Sequence, residues 1–340
     1  MKKIYSFLVV AILAVLLIGC GSDSGSDSAQ GKSDGKKTET FKVGYMPNYA
    51  SMNSVVAGIE TGSFDEQGLK VELVEFADGP TIIAALESGS IDAGYIGPGA
   101  HVLPIQGQAK IFAFSHLGNA DEVIGNTEKG VKTIEDLKGK EIGVATGTSS
   151  ETILDLTLQE AGISKDDVTL VDMDASAIVT AMVSGGVDAV ATWSPNTNTI
   201  KEEMGDKAEM LTNNARYADQ FPSIASWVVS PSYAEENKET IEKFTKGLYA
   251  GMEYHIDNPE EVAKWVAKQS AVEEDAVLAQ TGDGDWKKPE EILTMLEDGT
   301  IEQYYQTQQE NFIESGRLTE EDKVDVSEYL MLENIKKAAE

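Results

Sequence analysis

Cysteine occurs once in the 340 residues, at Cys20. Without a second thiol there is no disulfide, so the fold must stand on buried apolar surface. Histidine is nearly as rare, at His101, His116 and His255, scattered with no second ligand at metal spacing. No zinc or nucleophile signature and no paired-carboxylate motif accompanies them. Phosphate loops of the Gly-x-x-x-x-Gly-Lys type are missing, and Gly143 to Gly147 is too short and incomplete for a dinucleotide fingerprint. These absences point away from an enzyme, a bound metal or a cofactor. Arginine occurs only at Arg216 and Arg317, neither in a loop expected to line a pocket, so a bidentate guanidinium clamp on a strong dianion is not expected. Basic residues number 27 against 58 acidic ones, a net charge of −31. Nucleic acid phosphates would be repelled; otherwise the acidity reads as a solubilising surface that does not identify a ligand.

At the N-terminus, Lys2 and Lys3 precede an apolar run from Phe7 to Ile18. The run is too short for a stable membrane span and is built like the core of a secretion signal. It ends in Leu17-Ile18-Gly19-Cys20, which resembles a lipobox. The resemblance implies that residues 1–19 are removed and that Cys20 carries the lipid anchoring the chain outside the cytoplasm, several acyl chains making that anchoring stable. Residues 20–40 are dominated by Gly, Ser, Asp, Lys and Gln with no large apolar residue up to Thr40. Such a segment cannot bury enough surface to offset its ordering entropy and is expected to be a flexible tether.

Beyond the tether a rhythm sets in. Phe41 to Tyr45 reads as a strand, Asn53 to Thr61 as a helix stopped by Gly62, and Leu69 to Phe76 alternates like a second strand. Pro80 to Leu86 reads as a helix closed at Gly89, and Ile91 to Ile96 as a strand running into Gly97-Pro98-Gly99. The order β-α-β-α-β returns after residue 140, with strands at 141–145, 168–171 and 187–192 and helices at 149–160 and 178–183. A shift of 96 positions places Asp78, Ile82, Ser88, Gly89 and Asp92 on Asp174, Ile178, Ser184, Gly185 and Asp188. Two copies of one supersecondary unit imply two mostly parallel sheets, whose carboxyl edges face each other across a cleft. Asp92 and Asp188 each follow a helix-ending glycine and are expected to tie down the turn rather than hold a ligand. From Ser223 to Val229 the chain reads as a return crossing with Trp227 in the core. Helices follow at 239–255, 259–269, 289–296 and 301–314, expected to pack mainly on the first lobe.

The paired lobes, the Gly-x-Ile/Val-Asp-Ala turns, Asp136-Leu137-Lys138-Gly139-Lys140 before a strand and the Thr192-Trp193-Ser194-Pro195 loop together resemble the binding proteins for aliphatic sulfonates, taurine and nitrate. The likeness is strongest to the aliphatic sulfonate binders and spans about residues 41–315. It implies an α/β fold of two lobes, the periplasmic-binding-protein type II arrangement, with two mixed β-sheets, flanking helices and a two-strand hinge. Residues 41–117 and 225–340 would form lobe one and 118–224 lobe two. The implied partners are a small-molecule solute and an ABC permease with its ATPase, served by a lipid-anchored monomer outside the cell membrane. The resemblance places the pocket at Pro47, Asn48 and Tyr49, at Gly97 and Pro98, at Ser115 and His116, at Gly147, Thr148, Ser149 and Ser150, and at Trp193 with Ser194.

Among these, the loop Thr146 to Ser150 stands between a strand and a helix start. Free N–H groups, the positive end of the helix dipole and four hydroxyls would there favour an anionic head such as a sulfonate. Thr148-Ser149-Ser150-Glu151 also reads as a capping box, in which Thr148 and Glu151 satisfy each other's backbone donors. Glu151 stands where sulfonate binders often carry histidine, and its charge would disfavour a bare anion and favour a ligand that also carries an amine. Trp193 would offer a flat face to an alkyl chain or a cation. The expected ligand is a small sulfonate or amino-sulfonate, an alkanesulfonate or taurine. A thiamine-precursor pyrimidine, a nitrate-like anion, a ligand-sensing module and an acidic surface adhesin remain alternatives.

Overall fold

The computed structural model describes residues 39–340, so the leader, Cys20 and the tether up to residue 38 lie outside the described residues. The chain is already paired at Glu39, one residue before the expected end of the tether and two before the expected strand. There β1 (Glu39–Tyr45) runs parallel to β2 (Leu69–Glu75), from Glu39 opposite Leu69 to Tyr45 opposite Glu75. Side chains of β1 alternate at first, exposed at Thr40 and Lys42 and buried at Phe41 and Val43, as a sheet covered on one face requires. The other strands are β3 (Ala93–Ile96), β4 (Lys110–Gly118), β5 (Asp121–Asn126), β6 (Glu141–Val144), β7 (Thr169–Asp172), β8 (Ala189–Trp193), β9 (Ala208–Asn213), β10 (Ile224–Val229) and β11 (Gly284–Trp286).

They form two sheets, ordered β11-β4-β10-β3-β1-β2 and β7-β6-β8-β5-β9. In each, three strands are parallel, β2-β1-β3 in one and β7-β6-β8 in the other. Antiparallel strands complete both sheets: β10 beside β3, and β5 beside β8. The repeat seen in the sequence is thus two structural copies. The chain passes between the sheets twice, through residues 119–120 after β4 and through 214–223 after β9. This is the expected two-lobed architecture with mixed sheets and a double crossing.

The paired aspartates Asp92 and Asp188 act as clips on the first strand of their copy. Asp92 accepts the Lys42 N–H at 2.7 Å, and Asp188 accepts that of Glu141 at 3.0 Å. Each of these aspartates also donates its own N–H to the carbonyl of the same strand residue. Asp78 and Asp174 cap the helical turns that follow them in each copy, accepting from the N–H groups of Thr81 and Ser176.

Four strands, β4, β5, β9 and β11, escaped the periodicity. Every residue from Ile111 to His116 in β4 is buried, so no alternation survives, and β5 and β9 are likewise unmarked. Ser115 and His116 therefore lie inside a strand, not in the loop expected after one. The first helix spans Tyr49–Glu60 rather than starting at Asn53, because the Asn48 side chain caps it by accepting from the Ser51 N–H at 3.0 Å. That helix packs on Lys238–Asp257, which with the C-terminal helix Leu332–Ala339 covers the first sheet. Asn334 donates to the Phe112 carbonyl at 2.9 Å and to Thr245. Trp227 is fully buried, edge-on to Tyr95 at 5.6 Å, as a core residue should be.

Candidate ligand cleft

The parallel strands of both sheets end at one cavity, which encloses about 630 Å³ of space between atoms, its open mouth included. This is the crevice at strand carboxyl ends where α/β sheets place ligands. After β1, Met46 and Asn48 reach it; after β3, Gly97 and Pro98; after β6, Thr148 and Ser149; after β8, Trp193 and Ser194.

Not every residue expected at the site lines it. Tyr49 is fully buried beneath the cavity, its N–H donating to Gln280 Oε1 at 3.0 Å and its ring edge-on to Trp286 and His255. Ser115 turns its hydroxyl to His116 Nδ1 at 3.1 Å, and Ser150 is sealed inside the helix start with no solvent contact. Pro47 and Gly147 also lie off the wall, whereas Asn48, Gly97, Pro98, His116, Thr148, Ser149, Trp193 and Ser194 line it.

The helix Ser149–Ala161 begins as its sequence dictates. Thr148 accepts the Ser150 N–H at 3.3 Å, but Glu151 returns to the N–H of Gly147, at 2.8 Å, and not to that of Thr148. Glu151 faces away from the cavity, between Arg317 Nε at 3.5 Å and Lys165 Nζ at 3.7 Å. Two cations answer its charge there, so it does not set the polarity of the cleft.

That polarity comes from two residues outside the expected set. Asp121, the first residue of β5, and Asp283, ahead of β11, both line the cavity. Burial raises each carboxyl to about 6, above the ordinary range, while hydrogen bonding pulls the other way, by Ser149 and Asn214 on Asp121 and by Ser194 on Asp283. Their charges also oppose one another. Asn214 grips Asp121 twice: its Oδ1 accepts the Asp121 N–H at 2.6 Å and its Nδ2 donates to Oδ2 at 3.2 Å. Oδ1 of Asp121 is buried with no hydrogen bond of good geometry.

Nothing on the wall balances these charges. Among the described residues no lysine or arginine lines the cavity, and burial depresses His116 to about 3, with buried His255 adding to the effect, so its ring is neutral. Neither aspartate carried a local motif. Asp121 opens an antiparallel strand that shows no period, and Asp283 lies in a C-terminal stretch that reads only as helices. The tertiary fold alone brings them to the strand ends. Among the described residues no group of three or more His, Cys, Asp or Glu is placed to hold a metal, and no helix is long and apolar enough to cross a membrane.

Comparison with known proteins adds a lineage. A family model described as NMT1/THI5 like matches residues 50–262. A Brucella abortus protein, named only as a binding protein, is 33% identical over 278 residues, covering 82% of this chain and 86% of the relative. The taurine-binding periplasmic protein of Escherichia coli is 27% identical over 224 residues, 65% of this chain and 67% of that one. The structure of the alkanesulfonate-binding protein of Xanthomonas axonopodis pv. citri, bound to MOPS, superposes with a TM-score of 0.66 at 19% identity, covering 86% of this chain and 97% of that one. A desulfurization enzyme shares the fold at 16% identity with a TM-score of 0.61, covering 88% and 98% of the two chains. Fold alone therefore does not separate binding from catalysis; the site must.

Proposed function

Because the chain belongs to the NMT1/THI5-like family, we propose that it is the extracytoplasmic solute-binding component of an ABC importer. The observation that carries this reading is the cavity, walled by strand ends of both sheets at a double crossing. A solute held on one wall gains contacts from the other only when the lobes close. Closure thus reports occupancy to a membrane permease driven by a separate ATPase. Residues 41–117 with 225–340 move as one lobe and 118–224 as the other, in a monomer tethered through lipid on Cys20. Loss of labelled fatty acid in Cys20→Ser checks that anchor; a variant still labelled rules it out.

The solute is a small molecule with a protonated nitrogen. Of the ligands in the names of relatives, taurine carries an ammonium, whereas plain alkanesulfonates do not. A sulfonate would meet the N–H groups at Ser149, where the helix dipole is favourable, and the ammonium would meet the carboxylates. An amino-sulfonate of the taurine kind is therefore favoured over a bare sulfonate or nitrate. The two aspartates equally favour the second reading, an amino-pyrimidine.

Mass spectrometry of small molecules released by denaturing the protein identifies the class. With that compound, or with taurine, the radius of gyration should fall on binding. Trp193→Ala should weaken affinity by about 1–3 kcal/mol, the scale of a lost buried contact. A radius and an affinity both insensitive to these changes would sink the capture reading.

A further inference from the structure

We infer that Asp121 and Asp283 form a cation gate, and that a protonated nitrogen on the solute is what allows the two lobes to close. The inference rests on the capture reading above. Asp121 belongs to the second sheet and Asp283 to the segment leading into β11 of the first. The Asp283 backbone carbonyl takes the Asn119 N–H at 2.8 Å, which fixes the segment beside the crossing. Its side chain lines the same cavity as Asp121 and Ser194 of the other lobe. The two carboxylates therefore approach across the cleft.

Two like charges brought together in a water-poor cavity repel, and no side chain on its wall neutralises them. The nearby cations are committed elsewhere. Lys201 lies on Glu122 at 2.8 Å; Arg317 donates to Thr152 and to the Gly99 carbonyl, each at 2.7 Å. Asp121 lines the cavity, and its buried Oδ1 lacks a well-placed donor, a cost that an ammonium, amidinium or protonated heteroaromatic ring would remove. Trp193 and Tyr95 on the same wall suit the weakly hydrated body of such a cation. A bare anion would add to the repulsion. Selectivity thus comes from a charge conflict that the right solute resolves.

The test uses the whole chain with matched probes that differ in the amine: taurine against ethanesulfonate, and benzylamine against benzyl alcohol. By calorimetry, wild type should bind the amine of at least one pair tenfold or more tightly than its counterpart. The double variant Asp121→Asn, Asp283→Asn should lose that difference while melting no lower than wild type. Scattering without any solute is the independent arm, in which the double variant, freed of repulsion, should be more compact than wild type. Equal affinity within both pairs, or an amine preference that survives in the double variant, overturns the gate. If none of the four probes binds, the scattering arm decides, and unchanged compactness overturns it. Failure of the capture reading is a separate result: denaturation releases no small molecule, and no compound alters the radius of wild type.

Discussion

Asp121 is buried at the cleft with its charge facing Asp283 and Glu122, while Ser149 and Asn214 donate to it and Lys201 is held on Glu122. Its folded pKa of about 6 stands above the unfolded 3.8, chiefly because burial disfavours the ion. The folded state therefore holds this proton more tightly than the unfolded chain does. Stability from this group is intact below the unfolded value, is lost as pH rises through the interval between 3.8 and about 6, and stays lost at neutral pH. Asp121→Asn keeps the shape and an acceptor for Asn214 but removes the charge. Without solute it should melt about 2 °C or more above wild type at neutral pH, with the gap closing toward pH 4. Paired melting curves across that range check it, and a gap independent of pH would contradict the assignment.

Repetition at the level of elements was legible because each copy uses the same devices. Gly89 and Gly185 adopt positive φ (71° and 72°), where helices end, and Asp92 and Asp188 then bind the first strand of their copy. These clips lie far from the cavity wall and should act on stability alone. Asp188→Ala leaves the Glu141 N–H without its carboxylate partner and should cost about 1–2 kcal/mol by denaturant unfolding. Solute affinity should not change; a loss of affinity comparable to the loss of stability would give these aspartates a part in the site. The strands β4 and β5 were not legible, since a strand buried on both faces carries no alternation, and β9, mostly exposed or half-buried, carried none either. With β4 went the placement of Ser115 and His116, and with β5 went Asp121.

Closure, a property of the whole molecule, depends on how closely the lobes approach. Gly99, in the turn after β3, lies against Thr148 and Ser149 of the other lobe, and a Cβ there would stand 1.9 Å from the Thr148 carbonyl oxygen. Its own carbonyl accepts from Arg317, which also holds Thr152 at the opposing helix start. The three atoms nearest that Cβ all belong to the opposing lobe, so alanine at Gly99 is tolerated until the lobes meet. Gly99→Ala should weaken solute binding at least tenfold, leave the unliganded melting temperature within about 2 °C of wild type, and keep the radius large at saturating solute. Wild-type compaction in this variant would show that the contact is not needed for closure.

From sequence alone the chain declared two α/β copies, the helix start at Thr148 and a cleft between opposed strand ends. Those features rest on local rules: periodicity, caps, glycine at helix ends and an internal repeat. The family resemblance also marked Trp193 and Ser149, at the legible end of a strand and at a helix start. The sequence could not mark the charge of the cleft. Glu151, which looked like its acidic member, is turned outward to Arg317 and Lys165, while Asp121 and Asp283, 162 positions apart in the chain, meet across the lobes. Burial and the lack of a cation on the cavity wall among the described residues give those two carboxylates their meaning, and both depend on which distant segments fold against them. Only the tertiary structure decides that.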